Sequence, residues 1–186
     1  EKYVAREALV LDVGCGYGRT LDELHRAGWR SLIGIDFSEA MIVRGRAAYP
    51  HLDLCVKRSA EKIDLPDASA GAVILFAVLT CVSSNAEQER MITEIRRVLC
   101  PGGILYVNDF LLNTDERNIA RYEKFKDKYG EYGVFELPEG AVCRHHDEKR
   151  IKAFLCAFEE LEYSRLTFTT MNGHTSNGFY FIGQAQ

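Results

Sequence analysis

From Val10 to Arg19 the chain reads Val-Leu-Asp-Val-Gly-Cys-Gly-Tyr-Gly-Arg, an apolar run that breaks into three glycines and then into a helical pattern. Glycine suits a turn that needs positive φ, or a backbone that a ligand must approach without a Cβ in the way. The run therefore predicts a strand, a tight turn and a helix. The same rhythm repeats downstream. Leu21, Leu24 and Ala27 share one face of a helix over Arg19 to Ala27, closed by Gly28, and Ser31 to Ile35 is a second strand. Ser38 caps a helix from Glu39 towards Tyr49, ended by Pro50, and Leu52 to Lys57 is a third strand. After a polar loop from Ser59 to Ser69, Ala72 to Leu79 is apolar throughout, as a strand covered on both faces should be. A helix over Ala86 to Leu99 carries Met91, Ile92, Ile95 and Val98, and Pro101-Gly102-Gly103 turns into a strand over Ile104 to Val107. Such alternation implies right-handed crossovers and a doubly wound parallel sheet with helices on both faces.

Beyond Asp109 the rhythm changes. Thr114 to Tyr129 reads as a charged helix, 130–146 as irregular, and Glu148 to Phe158 as a helix striped by Ile151, Phe154, Leu155 and Phe158. Two strands follow, at about 162–169 and 178–184. The 186 residues make one domain, 1–186, with a lid or specificity excursion at about 110–147. A formal charge of −4 gives no basic footprint for nucleic acid, and no apolar run is long enough to span a membrane. The six cysteines form no C-x-x-C pair, which points to free thiols and a cytoplasmic location. Cys143, two residues before His145, is the one thiol with a base nearby in sequence.

Chemistry gathers at the glycine turn. One strand later, Asp36 stands at a strand's carboxyl end, where open α/β sheets bind ligands and where a carboxylate can hold both hydroxyls of a ribose. The dinucleotide fingerprint is the rival, and with it a nicotinamide-dependent oxidoreductase. The glycines fall at 14, 16 and 18, however, and Arg19 occupies the place of that fingerprint's third glycine. Asp12 just before the turn would repel a pyrophosphate but suits an ammonium and a sulfonium, favouring S-adenosylmethionine over NAD.

In this combination the sequence resembles the class I S-adenosylmethionine-dependent methyltransferases, in particular the small type 11 domains. Leu11 to Gly18 is similar to the family's first motif and Gly34 to Ser38 to its second. Ser59-Ala60-Glu61 with Leu65-Pro66 is similar to its adenine loop, and Leu99 to Gly103 to the turn into strand five. The resemblance covers about 8–109 and, more weakly, 147–184. It implies a Rossmann-like sheet of seven strands, mostly parallel, with the last strand antiparallel. It also implies that Asp12 holds the methionine ammonium, and that the turn of Gly14, Cys15, Gly16 and Gly18 meets the methionine and ribose. Asp36 would bind the ribose hydroxyls and Phe37 would pack on adenine. Ala60 would offer its N–H to that ring, with Ser59 or Glu61 at its edge, and Phe76 would line the methionine. Ser59 departs from the Asp common in the family, as do Ala70-Gly71 and Ala77-Val78-Leu79-Thr80-Cys81 from its usual pattern, the last giving an apolar pocket wall. Relatives carry an N-terminal helix before the first strand, so the resemblance implies a missing front cap here.

Methyl transfer from a sulfonium is an in-line displacement that needs mostly alignment and desolvation, and a base only for a weakly acidic acceptor. Candidates for that side are Asp109 at the end of strand five and the pair His145 and His146, whose ordinary pKa suits proton transfer. The competing readings are a helix cap or solvated turn for Asp109, and for the histidines one helix cap beside one solvated ring, or two ligands of an incomplete metal site. His174 and Glu136 are further candidates. Tyr122, Tyr129, Tyr132 and Phe135 are either a lid over an apolar substrate or packing that seats the excursion. The expected partner is a small-molecule methyl acceptor, with no nucleic acid, no membrane, no metal, and a monomer or homodimer. A module that binds the cofactor without turnover is the remaining alternative.

Overall fold

The computed structural model describes residues 2–57, 62–169 and 173–186. In chain order the elements are β1 (Val10–Val13), α1 (Arg19–Arg26), β2 (Leu32–Asp36), α2 (Glu39–Ala48), β3 (Asp53–Val56) and β4 (Ala70–Phe76). A short 3-10 turn (Leu79–Cys81) then leads to α3 (Asn85–Val98), β5 (Leu99–Phe110), α4 (Glu116–Tyr129), β6 (Val134–Glu136) and β7 (Val142–Arg144). The chain closes with α5 (Glu148–Leu155), β8 (Phe158–Thr169) and β9 (Thr175–Ala185).

Seven strands form one sheet in the order β3-β2-β1-β4-β5-β9-β8. Neighbours from β3 to β5 are parallel, whereas β9 runs antiparallel to both β5 and β8. This is the expected Rossmann-like sheet with its last strand reversed. Leu11, Val13, Val73, Leu75, Leu105 and Val107 point to one face, where α3 and α5 bury Met91, Ile95, Ile151 and Leu155. Val10, Ala72, Ile74 and Ile104 point to the other, against Leu21 of α1 and Ile42 of α2. Chain order reverses between β1 and β4, which opens a crevice at their carboxyl ends.

Several boundaries differ from those expected. β4 ends at Phe76 because Ala77 takes φ 55 and the chain winds into the 3-10 turn, so the apolar run to Leu79 is not one strand. β5 begins before Pro101, with a register shift against β4 between Ala70 and Ala72. α5 stops at Leu155: Phe158 keeps helical spacing but pairs with Ala185 and faces the same core from a strand. β8 and β9 are both longer than expected.

Residues 130–146 are not wholly irregular. β6 and β7 pair as a short antiparallel ribbon, Val134 opposite Arg144 and Glu136 opposite Val142. Gly133 allows this, since a Cβ there would lie 2.2 Å from the His145 carbonyl oxygen. Tyr122 and Phe135 are buried with their rings 5.9 Å apart, and they seat the ribbon on α4. Tyr132 is exposed. Arg144, 1% exposed, ties β7 to the body: its guanidinium donates to the Ser83 carbonyl at 2.8 Å, Asn85 Oδ1 at 2.7 Å and Glu131 at 3.0 Å. Removing it would take a donor from each of those acceptors, of which Asn85 Oδ1 keeps the Arg150 guanidinium. Arg144→Met should lower the unfolding free energy by roughly 2–3 kcal/mol, the scale of hydrogen bonds to a charged group, read from urea denaturation.

Candidate functional site

The crevice at the ends of β1, β2 and β4 holds a cavity of about 110 Å³ lined by Gly14, Asp36, Phe37, Lys57, Ala77, Val78, Cys81 and Val82. Gly14, in the glycine turn, forms its floor. Gly14 takes φ 78, and a Cβ there would meet Val78 Cγ2 at 2.5 Å. Gly18, at φ 87, is the residue before α1. Cys15 turns its thiol down onto the sheet, into the space left by Gly34, and burial raises its pKa. Only its backbone faces the turn's ligand side.

Two carboxylates stand near this floor: Asp36 lines the cavity, whereas Asp12, like Cys15, Gly16 and Gly18, does not. Asp36 ends β2 and accepts the Gly16 N–H through Oδ2 and the Ser38 N–H through Oδ1, both at 2.8 Å. Those bonds fix its orientation and leave further lone pairs for ligand hydroxyls. Asp12 is 3% exposed, and its carboxylate accepts no hydrogen bond among the described residues. Burial, reinforced by the Asp36 charge, pushes its pKa up to about 7. A buried carboxylate in this state is costly, and a cation placed against it would recover the cost. Phe37 is 71% exposed at the cavity rim, a flat apolar surface open to a ring. Two carboxylates for hydroxyls and an ammonium, a glycine floor and an open phenyl fit the methionine, ribose and adenine of S-adenosylmethionine.

The other expected residues fall differently. Ser59, Ala60 and Glu61 lie outside the described residues. Phe76 closes β4 with its ring edge-on to Tyr106, centroids 4.8 Å apart, beside the cavity rather than in it. Asp109, His145 and His146 do not line the cavity either. Asp109 is buried, and its carboxylate accepts the Thr80 N–H at 3.2 Å and the Phe110 N–H at 2.8 Å. It thereby pins the 3-10 turn that follows the Ala77 and Val78 wall. Burial lifts its pKa to about 7 against those backbone donors.

His145 Nδ1 lies 2.6 Å from the Tyr122 hydroxyl and 3.1 Å from the Asn113 amide. Among the described residues neither ring nitrogen of His146 makes a well-formed hydrogen bond, the Leu79 backbone being its nearest polar contact. Burial drives both imidazoles down to about 3, so each is neutral and a weak proton acceptor. The helix after them is capped instead by Asp147, which accepts the Arg150 N–H at 3.0 Å. Glu136 is tied at the surface to Lys128 and to the Tyr129 hydroxyl. His174 lines a separate hollow with Arg117 and Asn177. Burial also raises the Cys143 thiol, which opposes a nucleophilic role. Ala77, Val78 and Cys81 form the apolar wall expected after strand four, whereas Lys57 and Val82 were not among the residues the sequence pointed to. The one signal for Val82 is the apolar run that continues past its strand.

The profile of a family described as a methyltransferase domain matches residues 11–107. A probable S-adenosylmethionine-dependent methyltransferase of Mycolicibacterium smegmatis is 37% identical over 108 residues, 58% of this chain and 38% of that protein. An eEF1A lysine and N-terminal methyltransferase of Mus musculus is 30% identical over 112 residues, 55% of this chain and 16% of that protein. A SAM-dependent methyltransferase structure from Methanosarcina mazei superposes with a TM-score of 0.91 at 27% identity, covering 99% of this chain and 95% of that one. The chain belongs to the S-adenosylmethionine-dependent methyltransferase family, and S-adenosylmethionine is its cofactor.

The elevated pKa of Asp12 has two measurable consequences. Between about pH 4 and 7 the folded state holds a proton that the unfolded chain releases, so this group makes stability fall as pH rises. Asp12→Asn should therefore raise the melting temperature at pH 8 and change it little at pH 5. The same variant should lose cofactor affinity, and the rise in affinity from pH 6 to 8 that follows Asp12 ionisation should flatten. Calorimetric titration across that range checks both.

Proposed function

We propose that this chain transfers the methyl group of S-adenosylmethionine to a small-molecule acceptor, by aligning and desolvating the two rather than by histidine base catalysis. The observation that carries the reading is the buried Asp12 carboxylate without a hydrogen bond, set one strand from Asp36 at the sheet's switch point. When bound, the cofactor supplies an activated methyl on a sulfonium. Asp12 holds the ammonium and Asp36 the ribose hydroxyls. Phe37 covers the adenine, while the Gly14 turn and Val78 keep water from the space between. Asp109 acts as a positioning residue, holding the turn behind Val78 through backbone N–H groups. His145 and His146, neutral and inside the fold, brace the excursion. Among the described residues no helix is long and apolar enough to cross a membrane.

A small acceptor is supported by the scale of the hollows: about 110 Å³ in the cavity and about 310 Å³ on the adjoining sheet face. Calorimetry should show binding of S-adenosylmethionine and none of NADH; the reverse result would sink the proposal. Asp36→Ala should weaken cofactor binding by about 1–3 kcal/mol, since it removes charged hydrogen bonds to the ribose. Incubation with methyl-labelled cofactor and a metabolite extract should label a small product. Tight binding with no label in any fraction would mark a binding module instead, and label in protein would redirect the acceptor to macromolecules.

A further inference from the structure

The register of the sheet sets a second constellation beside the cofactor site. Paired residues on neighbouring strands share a face, so Asp12, Ile74, Tyr106 and Ile182 form one row across β1, β4, β5 and β9. The next row towards the carboxyl edge holds Phe76, Asn108 and Tyr180 on β4, β5 and β9. Continuing the β1 register puts Gly14 and Asp36 at the head of that row. Asn108 thus has Phe76 and Tyr180 as cross-strand neighbours, with Tyr106 and Phe110 before and after it on its own strand and face.

These rings are assembled into a frame. Tyr106 meets Phe76 edge-on at 4.8 Å and Tyr180 edge-on at 6.3 Å. Phe110 contacts Phe168 at 5.2 Å and stacks on His145 at 5.5 Å. Gly178, opposite Phe110, makes room for this: a Cβ there would lie 2.0 Å from the Phe168 ring. In the middle, half-buried Asn108 takes the Ala77 N–H on its backbone carbonyl at 2.8 Å. Its carboxamide exchanges no hydrogen bond with any described residue. Below the frame, Tyr106 and Ile182 continue into an apolar hollow of about 310 Å³ floored by Val10, Ile74 and Ile104.

We infer that this face is the acceptor subsite, and that it takes a flat, uncharged, ring-bearing molecule whose hydroxyl, carbonyl or amine group hydrogen-bonds the Asn108 carboxamide. The inference rests on the proposed methyl transfer and names its substrate class. Position supports it: β5 is one strand, roughly 4.8 Å, beyond β4, on the side away from Asp36, so an acceptor here lies alongside the cofactor's methionine end. Charge supports it too. The carboxylates of Asp12, Asp36 and Glu162 lie on this face, and among the described residues the nearby ammonium groups are already ion-paired, Lys2 with Glu162 at 2.7 Å and Lys57 with Asp64 at 2.5 Å, which disfavours an anion. A carboxamide donates and accepts, which suits a neutral polar group on an apolar ring.

The test uses 2-naphthol as probe and 2-naphthalenesulfonate as its anionic counterpart. Binding is read by saturation-transfer NMR and calorimetry with S-adenosylhomocysteine bound, and no turnover is required. 2-Naphthol should bind and the sulfonate should not. Asn108→Leu should weaken 2-naphthol roughly fivefold, the loss of one neutral hydrogen bond, and Asn108→Ser should retain part of that. S-adenosylhomocysteine affinity and melting temperature, measured on every variant, show that fold and cofactor site are intact. A failure of S-adenosylhomocysteine to bind the wild type would count against the cofactor reading, and 2-naphthol binding would then be measured without it. No 2-naphthol binding, equal binding by Asn108→Leu, tighter binding of the sulfonate, or a short lysine peptide binding this face in its place would overturn the inference.

Discussion

The burial of the Asp12 carboxylate at the end of β1 is the constraint around which the rest of the structure is arranged. A charged group placed among apolar strands costs several kcal/mol unless something answers it. Among the described residues no hydrogen bond reaches it, and a second carboxylate, Asp36, stands one strand away. Glycines at 14, 16 and 18 let the backbone turn sharply there, so that whatever answers the charge can come close. Asp109 and the 3-10 turn hold the opposite wall. A cation placed against Asp12 would recover the cost of its burial.

Much of this was legible in the sequence because each requirement leaves a mark in a short window. Glycines after an apolar run, followed by a helical stripe, allow few other readings. Asp36 at the end of the next strand follows from the same rhythm. The parallel sheet was legible because its inner strands β1, β2 and β4 are buried on both faces and read as largely apolar runs. Less legible was everything that depends on partners distant in the chain. Asp109 looks like a base because a carboxylate at a strand end often is one. Its binding to backbone N–H groups some thirty residues earlier has no local signature. The two histidines look titratable because burial depends on α4 and β5 packing around them. The β6–β7 ribbon escaped notice because three-residue strands flanked by Gly133 and Gly140 carry too little pattern.

The excursion between β5 and α5 is fastened more firmly than its glycines suggest. Arg144 reaches the start of α3, Tyr122 fills the space under the ribbon, and Asn113 links His145 to Ser176 on β9 through amide contacts of 3.1 Å. With the His146 N–H donated to the Phe110 carbonyl, these ties join the excursion to the start of α3, to β5 and to β9. The aromatic frame around Asn108 shares Phe110 with that assembly, so the face beside the cofactor site takes its shape from residues more than sixty positions apart.

The reversed strand β9 also has a consequence for how the chain acquires its structure. It lies between β5 and β8, so β5 gains its outer neighbour only once Thr175–Ala185 is available. Pairing Ile104 with Gln184 closes a loop spanning α4, the ribbon and α5, a contact of high sequence separation that forms late and slowly. Until then, β1 to β4 can assemble from local βα units while β5 shows a bare apolar edge. During synthesis the outer edge of β5 stays unpaired until β9 follows, and an unpaired apolar strand edge is a template for association with other chains.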